Sequence, residues 1–112
     1  MQKLEEYRVR EYEKSQGLFI VHNCVSTRIS GQVTDITIWI HQHGNGPMSE
    51  GKIEKVKYYF GPMFFNGKSV VRIYSTDNFE MKISAYGSVL CLAQVFIENN
   101  SEPILITRYI NF

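Results

Sequence analysis

Two short aromatic segments contain the residues best suited to binding chemistry. In the first, 53–65, an apolar strand-like run enters a Gly-Pro turn at Gly61 and reaches Phe64. In the second, 84–87, Tyr86 stands between small residues. Aromatic rings held at turns offer flat apolar walls to a ligand. The two segments therefore predict the two lips of a binding cleft.

Each aromatic also fits a purely structural role. Tyr86 beside Gly87 fits a turn residue that covers the end of a domain. Phe64 and Phe65 fit packing over the open end of a core, and Gly61 with its following proline fits an ordinary turn. Both interpretations stay open on the sequence alone.

A pair of histidines is the strongest enzymatic motif. His41 and His43, at i and i+2 near a strand end, would point to one face and could share a metal ion. A complete site needs further ligands, but Glu50 lies seven residues beyond His43 and His22 lies upstream. We therefore expect exposed strand-end histidines, no bound metal and no cofactor.

The sequence contains no other catalytic motif. It has no Gly-x-Ser-x-Gly elbow, no phosphate-binding glycine loop and no recognisable Cys-His arrangement. Cys24 and Cys91 lie far apart within apolar runs, which is typical of small buried side chains in a reducing compartment. The expectation is a protein without enzymatic activity.

The composition is that of one folded domain. The 112 residues are 44% hydrophobic and 13% aromatic, enough to bury a core without disulfides. A net charge of +1 gives no electrostatic case for nucleic acid or an anionic membrane as the main partner. The charged start lacks the apolar segment of a signal peptide, and no window approaches the roughly 18 apolar residues of a membrane span. A cytoplasmic location is expected.

Hydrophobic periodicity predicts the all-β fold that positions these segments. Short apolar runs alternate with turn residues about every eight to twelve positions, which is the pattern of a β-sandwich. One run, 89–97, is apolar on both faces, and the glycine before it and the polar turn after it favour a central strand over a buried helix. The predicted strands cover 18–27, 33–41, 53–60, 69–74, 79–83, 89–97 and 104–112.

The same patterns predict the core and leave two features open. Residues 1–16 fit either a short helix or an edge strand, and we treat them as an extension that packs on the domain 17–112. Trp39 faces away from the neighbouring isoleucines and fits either the core of a second sheet or an exposed partner contact. The expected core residues are Ile38, Val56, Tyr58, Phe79, Ile83, Leu92, Val95, Ile106 and Ile110.

The order and spacing of these segments resemble the YEATS domain family, and its prokaryotic branch most closely. Members carry a strand that ends in a Val-x-Phe-x-Leu-His-x-Ser-Phe pattern, which aligns here with residues 56–64. The family's second lip, a Gly-Tyr-Ala or Gly-Trp-Gly turn, corresponds to 85–87. A long apolar strand and an alternating closing strand follow, as in the family. The resemblance covers residues 18–112.

This resemblance implies an immunoglobulin-like β-sandwich of about seven to eight antiparallel strands with a cleft at one end. In the acyl-lysine readers of the family, a flat acyl-amide lies between aromatic rings while backbone amides bind its carbonyl. Gly61 stands where the family has His and Met63 where it has Ser, so we expect acyl-lysine peptides to bind weakly or not at all. The ligand-binding residues implied by the resemblance are Phe64, Tyr86, Gly61, Met63, Ala85 and Gly87.

The expected function is a non-catalytic recognition module of the YEATS type that binds a modified peptide or a partner protein. By resemblance, such a module would act within a prokaryotic signalling or defence system. The alternative is a structural domain whose exposed aromatics and sheet edge mediate oligomerisation. An open, concave cleft favours the first interpretation, and a cleft filled by its own side chains favours the second.

Overall fold

A computed structural model provides the architecture and describes residues 2–26, 34–85 and 87–111. Thr27, Val33, Tyr86 and Phe112, to which the sequence assigns strand or lip positions, lie outside the described residues. The described chain forms one helix, seven strands and two short 3-10 turns. The helix and strands are α1 Gln2–Ser15, β1 Leu18–Ser26, β2 Thr34–Gln42, β3 Ile53–Tyr59, β4 Val70–Arg72, β5 Met81–Ala85, β6 Val89–Ile97 and β7 Ile104–Ile110.

The strands form two antiparallel sheets that pack face to face. One sheet has three strands in the order β1-β2-β5, and the other has four in the order β4-β3-β6-β7. Strand β6 pairs on both sides, with β3 and with β7, so the prediction of a central strand at 89–97 is confirmed. Strand β4 lies at the edge of its sheet. The prediction of an all-β sandwich is therefore confirmed.

The core lies between the two sheets because successive side chains of a strand point to opposite faces, and those that point inward are mainly apolar. Eight of the nine residues that the sequence assigned to the core are buried, including Tyr58 from one sheet and Ile38 from the other. The Tyr58 hydroxyl donates a hydrogen bond of 2.8 Å to the backbone carbonyl of Phe79. This bond joins β3 to the segment that leads into β5, and thus ties one sheet to the other.

Leu92 is the core prediction that proved wrong. It is half-buried on the outer face of the four-stranded sheet, opposite Tyr59 and Thr107. The side chains of β6 that enter the core are the odd-numbered ones, from Cys91 to Ile97. Trp39 likewise lies half-buried on the outer face of its sheet rather than in the core.

The N-terminal segment is helical, which resolves the choice that the sequence left open. Near its end, the Tyr12 ring packs against Phe19 at a centroid distance of 6.1 Å. The chain turns from α1 into β1 through Gly17, whose φ of +77° and approach to the His43 carbonyl leave no room for a side chain. Ser15 at the end of the helix is also buried, and the remaining helical residues, including Leu4, are exposed. Within the described residues, no helix is long and apolar enough to cross a membrane.

Candidate functional site

Two loops and one end of the three-stranded sheet enclose an open cleft. The first loop, 60–69, connects β3 to β4, and the second, of which Gly87 and Ser88 are described, lies between β5 and β6. The cleft has a volume of about 1050 Å³, which is at the upper end of the range for ligand sites. Its described lining is mainly apolar, with polar groups from β2, β5 and the second loop. The two loops are those that the sequence predicted as lips.

The first loop forms an aromatic wall that continues out of the core. The buried ring of Phe60 stacks on Tyr58 at a centroid distance of 6.3 Å. Phe64 and Phe65 then pack against Phe60 with tilted rings, at 5.9 and 6.0 Å. Phe64 is half-buried against the core and also lines the cleft, so it combines both roles that the sequence allowed. Phe65, the more exposed ring, was not among the predicted site residues.

The backbone of this loop explains why glycine occupies position 61. Gly61 has a φ of +104°, a conformation that a residue with a Cβ rarely adopts. A histidine there, as in the family pattern, would require a different turn. Phe65 and Asn66 also have positive φ, at 52° and 57°. Left-handed backbone costs roughly 1–2 kcal/mol for a residue with a Cβ, so the loop holds Phe65 at the cleft with some strain.

The predicted site residues are placed as follows. Met63, which is 90% exposed, lines the cleft beside Phe64. Ala85 and Gly87 line the opposite side, where β5 ends and the second loop begins. Gly61 lies in the turn of the first loop but does not line the cleft. The structure therefore brings four of the six predicted residues to one cavity, and Tyr86, the predicted opposing aromatic, lies outside the described residues.

Strands β2 and β5 add polar residues that sequence reasoning missed. Asp35 and Ser84 are directly opposite each other in the β2–β5 pairing, and the Ser84 hydroxyl donates to the Asp35 carboxylate at 2.7 Å. Lys82 also lines the cleft, and its ammonium lies 3.8 Å from a carboxylate oxygen of Glu80. Each charged group of the described lining thus has a partner. The other lining residues that were not among the predicted site residues are Val25, Ile36, Thr37, Phe65, Ile83 and Ser88.

The histidines do not form a metal site in the described part of the chain, which contains no cluster of three or more His, Cys, Asp or Glu side chains. His43 packs edge-on against Tyr12. His22 accepts a hydrogen bond at Nδ1 from the Arg108 guanidinium at 3.0 Å. That bond places the imidazole between β1 and β7, away from the other two histidines.

The cysteines differ in environment. Cys91 is buried in β6, as predicted, and burial raises the pKa of its thiol to about 12. Cys24 is only half-buried, in contrast to the prediction, and its thiol donates to the carbonyl of Asn111 at 3.5 Å. Neither thiol lines the cleft. Burial also raises the pKa of the Tyr58 hydroxyl, which keeps it a donor to the Phe79 carbonyl.

Comparison with known families supports the resemblance seen in the sequence. The family model described as the prokaryotic YEATS domain matches residues 34–111. The match spans both predicted lips and extends from β2 to the end of β7. A search of curated proteins returned no match.

Proposed function

Because the chain belongs to the prokaryotic YEATS family, we propose that it is a non-catalytic recognition module that binds a modified peptide in the cleft between its two loops. We further propose that the module serves a prokaryotic signalling or defence system, as the family resemblance implies. A domain of the YEATS type suggests recognition, and the cleft is the part of this molecule that suits it.

The open aromatic wall is the observation that carries this proposal. Phe64 lines the cleft while its ring rests on the buried ring of Phe60. A ring supported from behind by core aromatics is held rigidly, so a flat ligand group can stack on it at little entropic cost. The described side chains leave the cavity unfilled. This supports a role in recognition rather than one in which the aromatic residues only cover the open end of the core.

The chemistry of the cleft favours an uncharged ligand group with a polar centre. Both charged groups of the described lining already have a partner, because the Asp35 carboxylate accepts a hydrogen bond from Ser84 and the Lys82 ammonium lies 3.8 Å from Glu80. An acylated lysine side chain has this character, because acylation removes its charge and leaves one amide. By the sequence prediction, Tyr86 would supply the second wall, with Gly87 and Ser88 beside it.

Titration with a panel of lysine peptides, unmodified, acetylated and crotonylated, tests the proposal by NMR of the 15N-labelled protein. We expect weak binding that depends on acylation, since this chain has Gly61, with a positive φ, where the family has histidine. Chemical-shift changes should fall on the cleft residues of both loops. Phe64→Ala should weaken binding roughly tenfold, because stacking and burial together contribute about 1.4 kcal/mol or more.

Tyr74→Ala is the matched control, because Tyr74 is an exposed aromatic that does not line the cleft. Phe64→Leu separates binding from stability, since leucine keeps most of the burial against the core but removes the flat ring. Equal binding of unmodified and acylated peptides, or shifts confined to residues outside the two loops, would refute a modified-lysine ligand.

A second candidate function, oligomerisation through a sheet edge, is favoured by a second groove that shares no lining residue with the cleft. The groove measures about 890 Å³ and lies between α1 and the edge strands β1 and β7. Consecutive residues of each strand line it, 18–21 and 105–108, so strand backbone is accessible there. A second copy could add a strand at this edge. Light scattering after size exclusion tests this, and a monomer at high concentration would exclude it.

A further inference from the structure

The cleft contains the edge of a β-sheet as well as an aromatic wall. Strand β5 is the last strand of the three-stranded sheet, and among the described residues it pairs with β2 alone. Consecutive residues of β5, 82–85, line the cleft. Successive side chains of a strand point to opposite faces, so lining by consecutive residues means that the cavity borders the edge of the strand. The backbone of β5 is therefore accessible from the cleft.

The pairing with β2 shows which backbone groups of β5 point into the cleft. The N–H and C=O of one residue point to the same edge of a strand, and those of the next residue point to the other edge. The Ile40 amide donates to the carbonyl of Asn78, shortly before β5, so the even-numbered residues of β2 bond towards β5. The register places them opposite the odd-numbered residues of β5. The backbone groups of Lys82 and Ser84 therefore point to the free edge.

A side-chain contact agrees with this assignment. In an antiparallel pair, opposite residues that exchange no backbone hydrogen bond are the closer ones, with Cα atoms roughly 4.5 Å apart. Asp35 and Ser84 are such a pair, and the Ser84 hydroxyl reaches the Asp35 carboxylate at 2.7 Å. In the part of the chain that the structure describes, no loop or turn forms a backbone hydrogen bond with Lys82 or Ser84. Two N–H and two C=O groups thus face the cleft.

The position beside β5 is one that a strand occupies in a similar sandwich. In the constant-type immunoglobulin domain, the fourth strand pairs with the fifth and completes a four-stranded sheet. Here β4 pairs with β3 instead. The three-stranded sheet therefore ends at β5 in the described chain, and the cleft lies where the immunoglobulin domain has its additional strand.

We propose that a peptide segment of a partner protein binds as an extended, antiparallel strand on the free edge of β5. This inference rests on the proposed function and specifies how the cleft holds its peptide. The peptide backbone would pair with Lys82 and Ser84, as in other domains that bind a peptide by adding it to a sheet edge.

The same geometry assigns a position to the modified residue. A peptide residue opposite Ile83 has its side chain on the same face of the sheet as Ile83. Ile83 is buried and faces the core, against which Phe64 also packs while it lines the cleft. The modified side chain would therefore extend from the residue opposite Ile83 towards Phe64. Its two neighbours in the peptide would point to the outer face of the sheet.

A peptide suits this edge better than the β5 strand of a second copy. The inward side chains of β5, those of Met81, Ile83 and Ala85, are all buried in the core of their own domain. A second copy paired through β5 would have none of them free to contact Phe64, and the aromatic wall would stay unfilled. A peptide without a fold of its own can direct a side chain to that wall.

Amide hydrogen exchange of the 15N-labelled chain tests the edge itself. In the free protein, the amides of Lys82 and Ser84 should exchange quickly relative to their intrinsic rates, whereas those of Met81 and Ile83, which bond to β2, should exchange slowly. A bound peptide should slow exchange at Lys82 and Ser84 roughly tenfold or more. Slow exchange at both positions in the free chain would show that the edge is already paired, and would overturn the proposal.

N-methylated peptides locate the hydrogen bonds from the ligand side. The probe is a peptide of about seven residues with a central acetyl-lysine. In the antiparallel arrangement, the two neighbours of the acetyl-lysine direct their N–H groups to β5, and the acetyl-lysine N–H points away. N-methylation of either neighbour should weaken binding roughly tenfold, and N-methylation of the acetyl-lysine amide should weaken it less than about threefold. Equal effects at all three positions would overturn the proposal.

Ser84→Pro removes one outward N–H from the protein. Proline is tolerated on an edge strand where its nitrogen faces away from the neighbouring strand, so the bonds to β2 are kept. This variant should bind the peptide roughly tenfold more weakly. Ser84→Ala is the matched comparison, because it removes the hydroxyl but keeps the N–H, and it should lose less affinity. Circular dichroism melts establish that both are folded, and the N-methylated peptides need no variant.

The outcomes separate this inference from the proposed function. A blocked single residue, Nα-acetyl-Nε-acetyl-lysine methylamide, should bind more weakly than the longer peptide. Equal binding of the two would keep the acyl-lysine site and overturn the strand pairing. Alternating sensitivity to N-methylation in unmodified and acetylated peptides alike would keep the strand pairing and overturn the modified-lysine ligand. Self-association abolished by Ser84→Pro would assign the edge to a second copy, and absence of all peptide binding would overturn both proposals.

Discussion

The hydrogen bond between the Tyr58 hydroxyl and the Phe79 carbonyl allows one stability prediction to be worked out in detail. Tyr58 is fully buried, and its hydroxyl donates to that carbonyl at 2.8 Å. Tyr58→Phe keeps the ring and its stacking on Phe60 but removes the donor. A buried acceptor left without a partner costs about 1–3 kcal/mol. We therefore expect the free energy of unfolding to fall by about 2 kcal/mol.

Urea denaturation followed by circular dichroism measures this change. A protein of this size has a urea m-value of roughly 1–1.5 kcal/mol/M, so the midpoint should fall by about 1–2 M. The melting temperature should fall by roughly 5–10 °C. Tyr109→Phe is the matched control, because Tyr109 is exposed and should change stability by less than about 0.5 kcal/mol. A loss of less than about 0.5 kcal/mol for Tyr58→Phe, or an equal loss for both variants, would refute the inferred contribution of this bond between the sheets.

Three further predictions follow from the burial and backbone data. Val95→Asp should abolish folding because it buries an unpaired charge, whereas Leu92→Asp, on the outer face of the sheet, should remain folded. Equal far-UV circular dichroism spectra and equal melting curves for the two variants would contradict this placement of the β6 side chains. Gly61→His should lower stability by about 1–2 kcal/mol because of its φ of +104°, while Gly87→Ala, which meets no atom within 4 Å, should cost less in the same melts. Burial raises the pKa of the Cys91 thiol to about 12, above that of a thiol in the unfolded chain, so the free energy of unfolding should fall as pH rises from about 9 towards 12. Cys91→Ala should make this decline with pH shallower. An unchanged slope would show that the Cys91 thiol does not contribute to the decline.

The fold could largely be predicted from the sequence because the residue patterns that indicate its strands and turns are local. Alternation with a period of two marks β2 and β5, and turn residues separate the strands. The polar stretch after β6 distinguishes that strand from a buried helix. The recognition of the family rests on equally local patterns at residues 56–64 and 85–87. Such signals depend on neighbours along the chain, so no knowledge of the packing is needed to detect them.

The face of the sheet on which Leu92 lies could not be predicted in the same way. Strand β6 is apolar on both faces, so its sequence does not indicate which set of side chains enters the core. The pairing of β6 with β3 decides this, because Val56 and Tyr58 face the other sheet and therefore so do Val95 and Ala93 opposite them.

For the candidate site, too, local features could be predicted from the sequence, whereas contacts between distant residues could not. The sequence by itself predicted the two lips, since Phe64 and the turn at Ala85 are local features, and it showed that glycine replaces the family's histidine at position 61. Only the tertiary structure decided that Asp35 meets Ser84, because that contact joins residues 49 apart through the β2–β5 register. Only the tertiary structure decided that Phe65 lies at the cleft, since a phenylalanine rarely adopts the left-handed backbone conformation that it has here. Long-range pairing and packing set these positions, and their energies depend on residues that no window of the sequence brings together.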